Sequence, residues 1–311
     1  MTGAAGFIGS HLVRALLDRG DDVAAIDDLS TGLARRLDEF EGRIDRVRGD
    51  IRDPAALDQA MAGCEAVLHE AAIPSVSRSV ADPVGTSSVG TEGTIQVMLA
   101  ATRAGVRRVV FAGSSAVYGA SPVLPRRETQ LPDPRSPYAV SKLASEGYVH
   151  SIGALRDVET VVLRYFNIFG PDQDPASEYA AVVPRFIAAA LANESVTIHG
   201  DGLQSRDFTY VDNVVSANLL ALTAHGASGI TCNIGCGGRY TLLDLVAQIE
   251  AATGRSMRVD HGPPRPGDVR DSQAAIDVAR QHLGYEVLVP FEEGIRRSVA
   301  WYASRLVISA S

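Results

Sequence analysis

A doubly wound parallel α/β sheet with a smaller C-terminal α/β region is the fold class this sequence predicts, on three observations. Short β-branched runs alternate with helical patterns through the first half of the chain. A glycine-rich turn opens the chain directly ahead of one of those helical patterns. From about Gly170 onward the rhythm loosens into Pro-rich and Gly-rich connections between amphipathic stretches. At 311 residues the chain is long enough for one or two domains and a large core.

The elements follow in order. Strands are expected at 22–26, 66–69, 108–112 and 160–163. A helix is expected at 11–19, with Leu12, Val13, Leu16 and Leu17 on one face. Later helices are expected around 184–191 and 242–251. The expected division is residues 1–166 as one domain and 167–311 as a smaller, lid-like region. Residues preceding the turn break the pattern. A glycine turn of this kind should follow a strand of about 5–6 apolar residues, yet only Met1 and Thr2 precede Gly3. The first strand, which should be central, is therefore expected to be missing or truncated.

Bulk properties narrow the function. A hydrophobic content of 46% and a charged content of 21% fit a globular protein. No apolar stretch is long enough to span a bilayer and no secretory pattern opens the chain, so a cytoplasmic, membrane-free protein is expected. The net charge of −8 excludes a polyanionic partner such as nucleic acid. Cys64, Cys232 and Cys236 read as buried thiols, and no metal site is expected.

Within TGAAGFIGSHL, Gly3, Gly6 and Gly9 have the spacing that lets backbone approach a pyrophosphate at a helix N-terminus. Asp27 ends the next apolar run, VAAID, where a carboxylate accepts bonds from a ribose 2′-hydroxyl and repels a 2′-phosphate. NAD is the cofactor this predicts, on a Rossmann-type domain.

SPYAVSK carries the chemistry. Ser136 suits a helix cap and Pro137 its first turn, which puts Tyr138 and Lys142 one turn apart on one face. A phenol is a poor base at neutral pH, and a nearby ammonium is expected to lower its pKa. Lys142 is the sole lysine beside 28 arginines, and arginine does not replace lysine at such a place. Upstream, VVFAGSSAVYG ends a strand in hydroxyls. Ser114 is the expected partner of the reacting oxygen, with Ser115 either sharing that role or closing the turn.

Together these residues resemble the extended short-chain dehydrogenase/reductase family, in particular its UDP-sugar 4-epimerases. The motifs run in order through nearly the whole chain: TGAAGFIGSHL, GDIRD, HEAAIPSVSRSVADP, SSAVYG, YAVSK, LRYFNIFGP, GDGLQSRDFTYVDN, NIGCGG and RPGDVR. The resemblance implies an NAD site lined by Gly3, Gly6, Phe7, Ile8, Gly9, Asp27, Asp28, Asp50, Ile51, Ala71 and Ala72, with Tyr165 beside the nicotinamide. It implies a nucleotide-sugar site using Ser75, Ser115, Asn167, Arg206, Arg265 and Asp268. Asp212 is expected to cap a helix instead. The implied activity is epimerisation at C4 of UDP-glucose/galactose, of the N-acetyl sugars, or of both. Ser272, where glucose-only members carry a tyrosine, is expected to leave room for an N-acetyl group. Gly90 replaces an asparagine common in the family. Related readings are a uronate epimerase or decarboxylase, left open by Arg78, and a dehydratase, opposed by Ser115 and Ala116 where acids are usual. A non-catalytic NAD sensor is the reading from another class. By analogy a homodimer is expected, through residues 91–104 and 138–152.

Overall fold

The computed structural model describes residues 1–175, 181–264 and 269–309, with side chains to Arg305. Its main sheet is parallel throughout. Strand Ile44–Arg48 pairs with Val23–Asp27, and Ala66–His69 pairs with Arg108–Ser114, then Glu159–Tyr165, then Ile230–Ile234. Thr2 joins the two groups, forming parallel bridges to Ile26 on one side and His69 on the other. The expected first strand is thus reduced to a central one-residue bridge, held by Thr2 N–H to Leu68 O (3.0 Å) and Gly3 N–H to Ile26 O (3.0 Å). The strand order reverses at that place, and a crevice at the strands' carboxyl ends there is where such sheets bind ligands.

The sheet is covered on both faces, so its central strands are apolar without alternation. Side-chain alternation still sorts them. Val110, Ala112, Val161 and Leu163 share one core with Leu12, Val13 and Leu16 of helix Phe7–Arg19 and with Val214, Ala217 and Ala221 of helix Val211–Thr223. Val109, Phe111 and Val162 join the opposite core with Leu57, Val97, Met98 and Val149. That second layer contains helices Pro54–Met61, Gly93–Arg103 and Pro137–Arg156.

The smaller region has its own core, in which Phe169, Phe186, Phe208, Leu245 and Phe291 meet. Its strands are short pairs: Val196–His199 with Val259–Gly262, Ser205–Arg206 with Tyr240–Thr241, and Ile168–Phe169 with Thr209–Tyr210. The chain leaves the main sheet after Tyr165, close to the expected boundary, but returns helix Val211–Thr223 and strand Ile230–Ile234 to it. The two regions are therefore interleaved in sequence.

Two expectations change in detail. Helices run longer than their apolar faces suggested, over Phe7–Arg19, Val182–Ala192 and Leu242–Thr253. Asp212 is not an N-cap, because Tyr210 occupies that position and Asp212 lies in the first turn, 3.3 Å from Arg297. Its charge still faces the positive helix end. All three cysteines are free. Among the described residues there is no metal-ligating cluster and no helix long and apolar enough to cross a membrane.

Candidate active site

At the sheet's switch point the glycines are dictated by space. Gly3 has φ +66°, and a Cβ there would lie 2.7 Å from Ala71 N. A Cβ on Gly9 would lie 2.0 Å from Gly3 O, so the turn and helix Phe7–Arg19 close only around glycine. Gly6 is the N-cap and makes no side-chain capping bond, which leaves the first-turn N–H groups facing outward as an anion site. Asp27 stands beside this turn, its carboxylate accepting from Ala5 N–H (2.9 Å) and Leu29 N–H (2.8 Å). Burial pushes its pKa up, and those two N–H groups oppose the rise. Asp28 accepts from Ser30 N–H, and Asp50 is bonded to Arg52, which holds its carboxyl low. Ile51 and Ile8 pack into the cores, Phe7 meets His11 edge-on at 5.5 Å, and Ala71 N–H donates to Thr2 Oγ1 with Ala72 following. A cradle that excludes Cβ atoms, an open helix N-terminus and a carboxylate at the next strand's end fit the pyrophosphate and ribose of NAD.

Helix Pro137–Arg156 brings the reactive groups to the neighbouring strand ends. Ser136 caps it, accepting from Ala139 N–H at 3.2 Å. Lys142 is only 5% exposed; its Nζ donates to Ala112 O at 2.6 Å and lies 4.8 Å above the Phe111 ring. Burial lowers its pKa to about 8 despite the opposing charges of Glu70 and Glu146. The Tyr138 phenol stands beside the Ser114 side chain, whose hydroxyl acts to lower its pKa. Its pKa is not depressed, contrary to expectation: burial raises it, Ser114 opposes, and the carboxylate of Glu70 raises it further. Ser115 opens the turn Ser115–Tyr118, whose first N–H, that of Ala116, bonds Ser114 Oγ at 3.2 Å.

Tyr165 is the register partner of Ser114 on the adjacent strand. Its hydroxyl donates to Glu70 Oε1 at 2.7 Å and accepts from Asn218 Nδ2 at 2.7 Å. Sequence reasoning missed Glu70, which looked like one letter of an apolar HEAA run. The support expected from an asparagine at position 90 comes from hydroxyls instead. Gly90 lies in the π-turn Ser88–Glu92, and its carbonyl accepts from Ser145 Oγ (2.8 Å) of the catalytic helix and from Thr94 Oγ1. Glu146 and Arg164 anchor the same helix to its strand through a buried ion pair at 2.7 Å.

Two residues beyond Tyr165, Asn167 enters a cavity of about 280 Å³ that Arg206 also lines. Asn167 adopts φ +36°, and Arg206 donates to the carbonyls of Ser205 and Arg270 at 2.9 Å each. Arg185, Thr197, His199 and Gln204 complete its polar lining, with Phe186 and Phe208 as apolar walls. Arg185, Phe186, Thr197 and His199 fall outside the motifs because their helix and strand read as ordinary core, while Gln204 and Phe208 lie within GDGLQSRDFTYVDN without having been given a role. Ser75 caps helix Val76–Ala81, accepting from Arg78 N–H at 3.0 Å. Ser272 is buried, its N–H bonded to Ser205 O at 3.0 Å, and it is not among the cavity's lining residues. Arg265 and Asp268 lie outside the described residues.

Known proteins share this architecture over its full length. The chain is 39% identical to a UDP-glucose 4-epimerase of Mycolicibacterium smegmatis, over 98% of each chain. It is similar to the solved UDP-N-acetylglucosamine 4-epimerase of Methanobrevibacter ruminantium in complex with UDP-N-acetylmuramic acid, at TM-score 0.93 and 36% identity, covering 98% of this chain and 97% of that one. The Thermus thermophilus UDP-glucose 4-epimerase complex with NAD matches at TM-score 0.89 and 37% identity, over 97% of each chain. A family profile matches residues 1–235, and with the NAD cradle and the Ser114, Tyr138 and Lys142 cluster on one sheet edge, this chain belongs to the NAD dependent epimerase/dehydratase family.

Proposed function

We propose that the protein is a UDP-sugar 4-epimerase, interconverting UDP-glucose and UDP-galactose, their N-acetyl counterparts, or both. The observation that carries this reading is Tyr138, beside Ser114 and one helical turn from buried Lys142, next to the cradle that fits NAD. Residues 1–166 hold the cofactor in this reading and 167–311 the nucleotide sugar, with Asn167 and Arg206 on the diphosphate. NAD, when bound, supplies a hydride acceptor that returns the hydride to the opposite face of the same carbon. Tyr138 takes the proton of the C4 hydroxyl and gives it back, Ser114 holds that oxygen, and Lys142 offsets the charge gathering on the phenol. The diphosphate anchors the substrate while its sugar turns, so binding energy is used away from the reacting carbon.

The chain is taken to act as a cytoplasmic homodimer. Its free cysteines suit a reducing compartment. Val140, Tyr148 and Leu155 form an exposed apolar face on helix Pro137–Arg156, with Val84 on the adjoining helix Pro83–Ser87.

Purified protein incubated separately with UDP-glucose, UDP-N-acetylglucosamine and UDP-glucuronate tests the activity by proton NMR. A C4 epimer of at least one of the first two is expected. Release of CO₂ from UDP-glucuronate, with the other two unchanged, would overturn the assignment. Tyr138→Phe should lower turnover by roughly 10²-fold or more while NAD stays bound.

A further inference from the structure

Glu70 has no part in the chemistry described above, yet it stands where four of its groups converge. It directly follows strand Ala66–His69, and its backbone is pressed against the glycine turn, 2.9 Å from the position a Gly3 Cβ would take. Glu70 N–H donates to Thr2 O at 3.3 Å, which fixes the residue at the sheet's centre. Its side chain is braced by the relay Asn218 Nδ2 to Tyr165 hydroxyl to Glu70 Oε1, both links 2.7 Å. Ser114 is the register partner of Tyr165, and Lys142 reaches Ala112 O on the same strand as Ser114. His69 pairs with Phe111, so Glu70 follows on beside Ala112, whose carbonyl Lys142 bonds, and its carboxylate reaches Tyr165 across that strand; this register puts Glu70 near Lys142, in keeping with its electrostatic effect on Lys142 and Tyr138.

We propose that Glu70 is a positioning residue of the catalytic centre, the braced counter-charge that keeps the Lys142 ammonium protonated beside Tyr138. The inference rests on the epimerase reading only for the use made of Lys142. A desolvated ammonium sheds its proton readily unless an opposite charge lies within a few ångströms. Lys142 makes one hydrogen bond, to a carbonyl, and faces two carboxylates, Glu70 and Glu146. Glu146 is already claimed by Arg164, whose Nε and NH2 both bond it. Among the described residues no arginine pairs with Glu70, so its charge is available to the lysine. The other titratable group facing Lys142 is His69, a buried imidazole whose pKa burial lowers to about 3. It is neutral at ordinary pH and supplies no charge. Burial lifts the Glu70 carboxyl to about 7, with the Tyr165 hydroxyl and the Lys142 charge opposing the rise. Acid and ammonium thus support each other near neutral pH: protonating Glu70 weakens Lys142 as a cation, and a neutral Lys142 has no charge to set against the one that gathers on Tyr138 during the reaction.

The chain's single lysine makes this directly measurable. Protein labelled with ¹³Cε-lysine and saturated with NAD gives one lysine side-chain resonance, and its titration midpoint is that of Lys142. Glu70→Gln should move the midpoint down by about one pH unit, the effect of removing one near counter-charge. Glu70→Asp, which keeps the charge, should restore most of the shift. Tyr165→Phe removes the bracing hydroxyl and should shift the midpoint the same way by less; it remains informative if Glu70→Gln does not fold. An unchanged midpoint in Glu70→Gln overturns the proposal, as does a Glu70→Asp shift equal to that of Glu70→Gln. Because the resonance is read without turnover, this outcome is separate from whether any UDP-sugar is epimerised.

Discussion

In the proposed reaction Tyr138 is to do acid–base chemistry with a phenol that its surroundings make harder to ionise, since burial and the Glu70 carboxylate both raise its pKa. The Ser114 hydroxyl is the one group among those acting on it that favours phenolate. A lone charged neighbour therefore does not account for reactivity here. In the proposed reaction the Ser114 hydroxyl eases ionisation of the phenol, and the Lys142 ammonium offsets the charge that gathers as the proton moves. Ser114→Ala is accordingly expected to lower kcat by roughly 10²-fold, with KM for the UDP-sugar changed far less. Steady-state kinetics on the variant checks this; an equal rise in KM with kcat intact would assign Ser114 to binding alone. The placement of Tyr138, Lys142 and Ser114 was legible in the sequence because each sits at a motif with a local cause: a cap, a one-turn spacing, a strand end. Glu70 was not legible, because its importance comes from a tyrosine 95 residues away in sequence.

A one-residue bridge at the centre of a sheet is a weak element by backbone count, and side chains make up the difference. Thr2 Oγ1 bonds His69 Nδ1 at 2.7 Å, and His69 Nε2 bonds Thr94 Oγ1 at 3.0 Å, so one imidazole ties the bridge to helix Gly93–Arg103. Pattern reading found the flanking strands from their β-branched runs. It had no signal for this tie, since a histidine ending an apolar run looks like any strand terminus. Both ring nitrogens are occupied inside the core, and burial lowers the pKa to about 3 from an ordinary 6.5. A depressed base favours the fold above its ordinary pKa, and that stability is lost as pH falls from 6.5 toward 3. By pH 4 the loss from this group should reach roughly 3 kcal/mol. The carboxyls of Glu70 and Asp207, raised to about 7 and about 6, act in the opposite sense, their contribution fading as pH rises through those values. Comparing urea unfolding of the wild type with His69→Gln from pH 7 to pH 4 isolates the histidine. The variant should start less stable and lose less on acidification; parallel curves would show that His69 is not the acid-sensitive group.

Interleaving decides how the assembled protein behaves. Arg36, buried beneath the glycine turn, donates to Ala5 O at 3.2 Å and to Asp172 at 2.6 Å, so one guanidinium holds the cofactor cradle and the segment leaving Tyr165 and Asn167 together. His11 adds a bond to Pro171 O at 3.0 Å from the helix that opens at the cradle. The chain leaves the main sheet after Tyr165 and rejoins it later. Its return through Ile230–Ile234 was not legible, because a five-residue strand among glycines carries no sign of which sheet it joins. One exposed apolar patch points outward from the helix that carries Tyr138 and Lys142: Val140 is 52% exposed, Leu155 82%, and Val84 on the adjoining helix 78%. Such a face on a helix already packed on its other side suits a two-fold helical interface between copies, in which each side chain meets its own symmetry mate or a near neighbour. Two glutamates placed there would be desolvated and set against their own copies. The double variant Val140→Glu, Leu155→Glu should therefore sediment as a monomer where the wild type sediments as a dimer, with NAD binding retained because both positions point away from the cradle. A wild type that is monomeric at micromolar concentration, or a double variant that still dimerises, would remove this face as the interface.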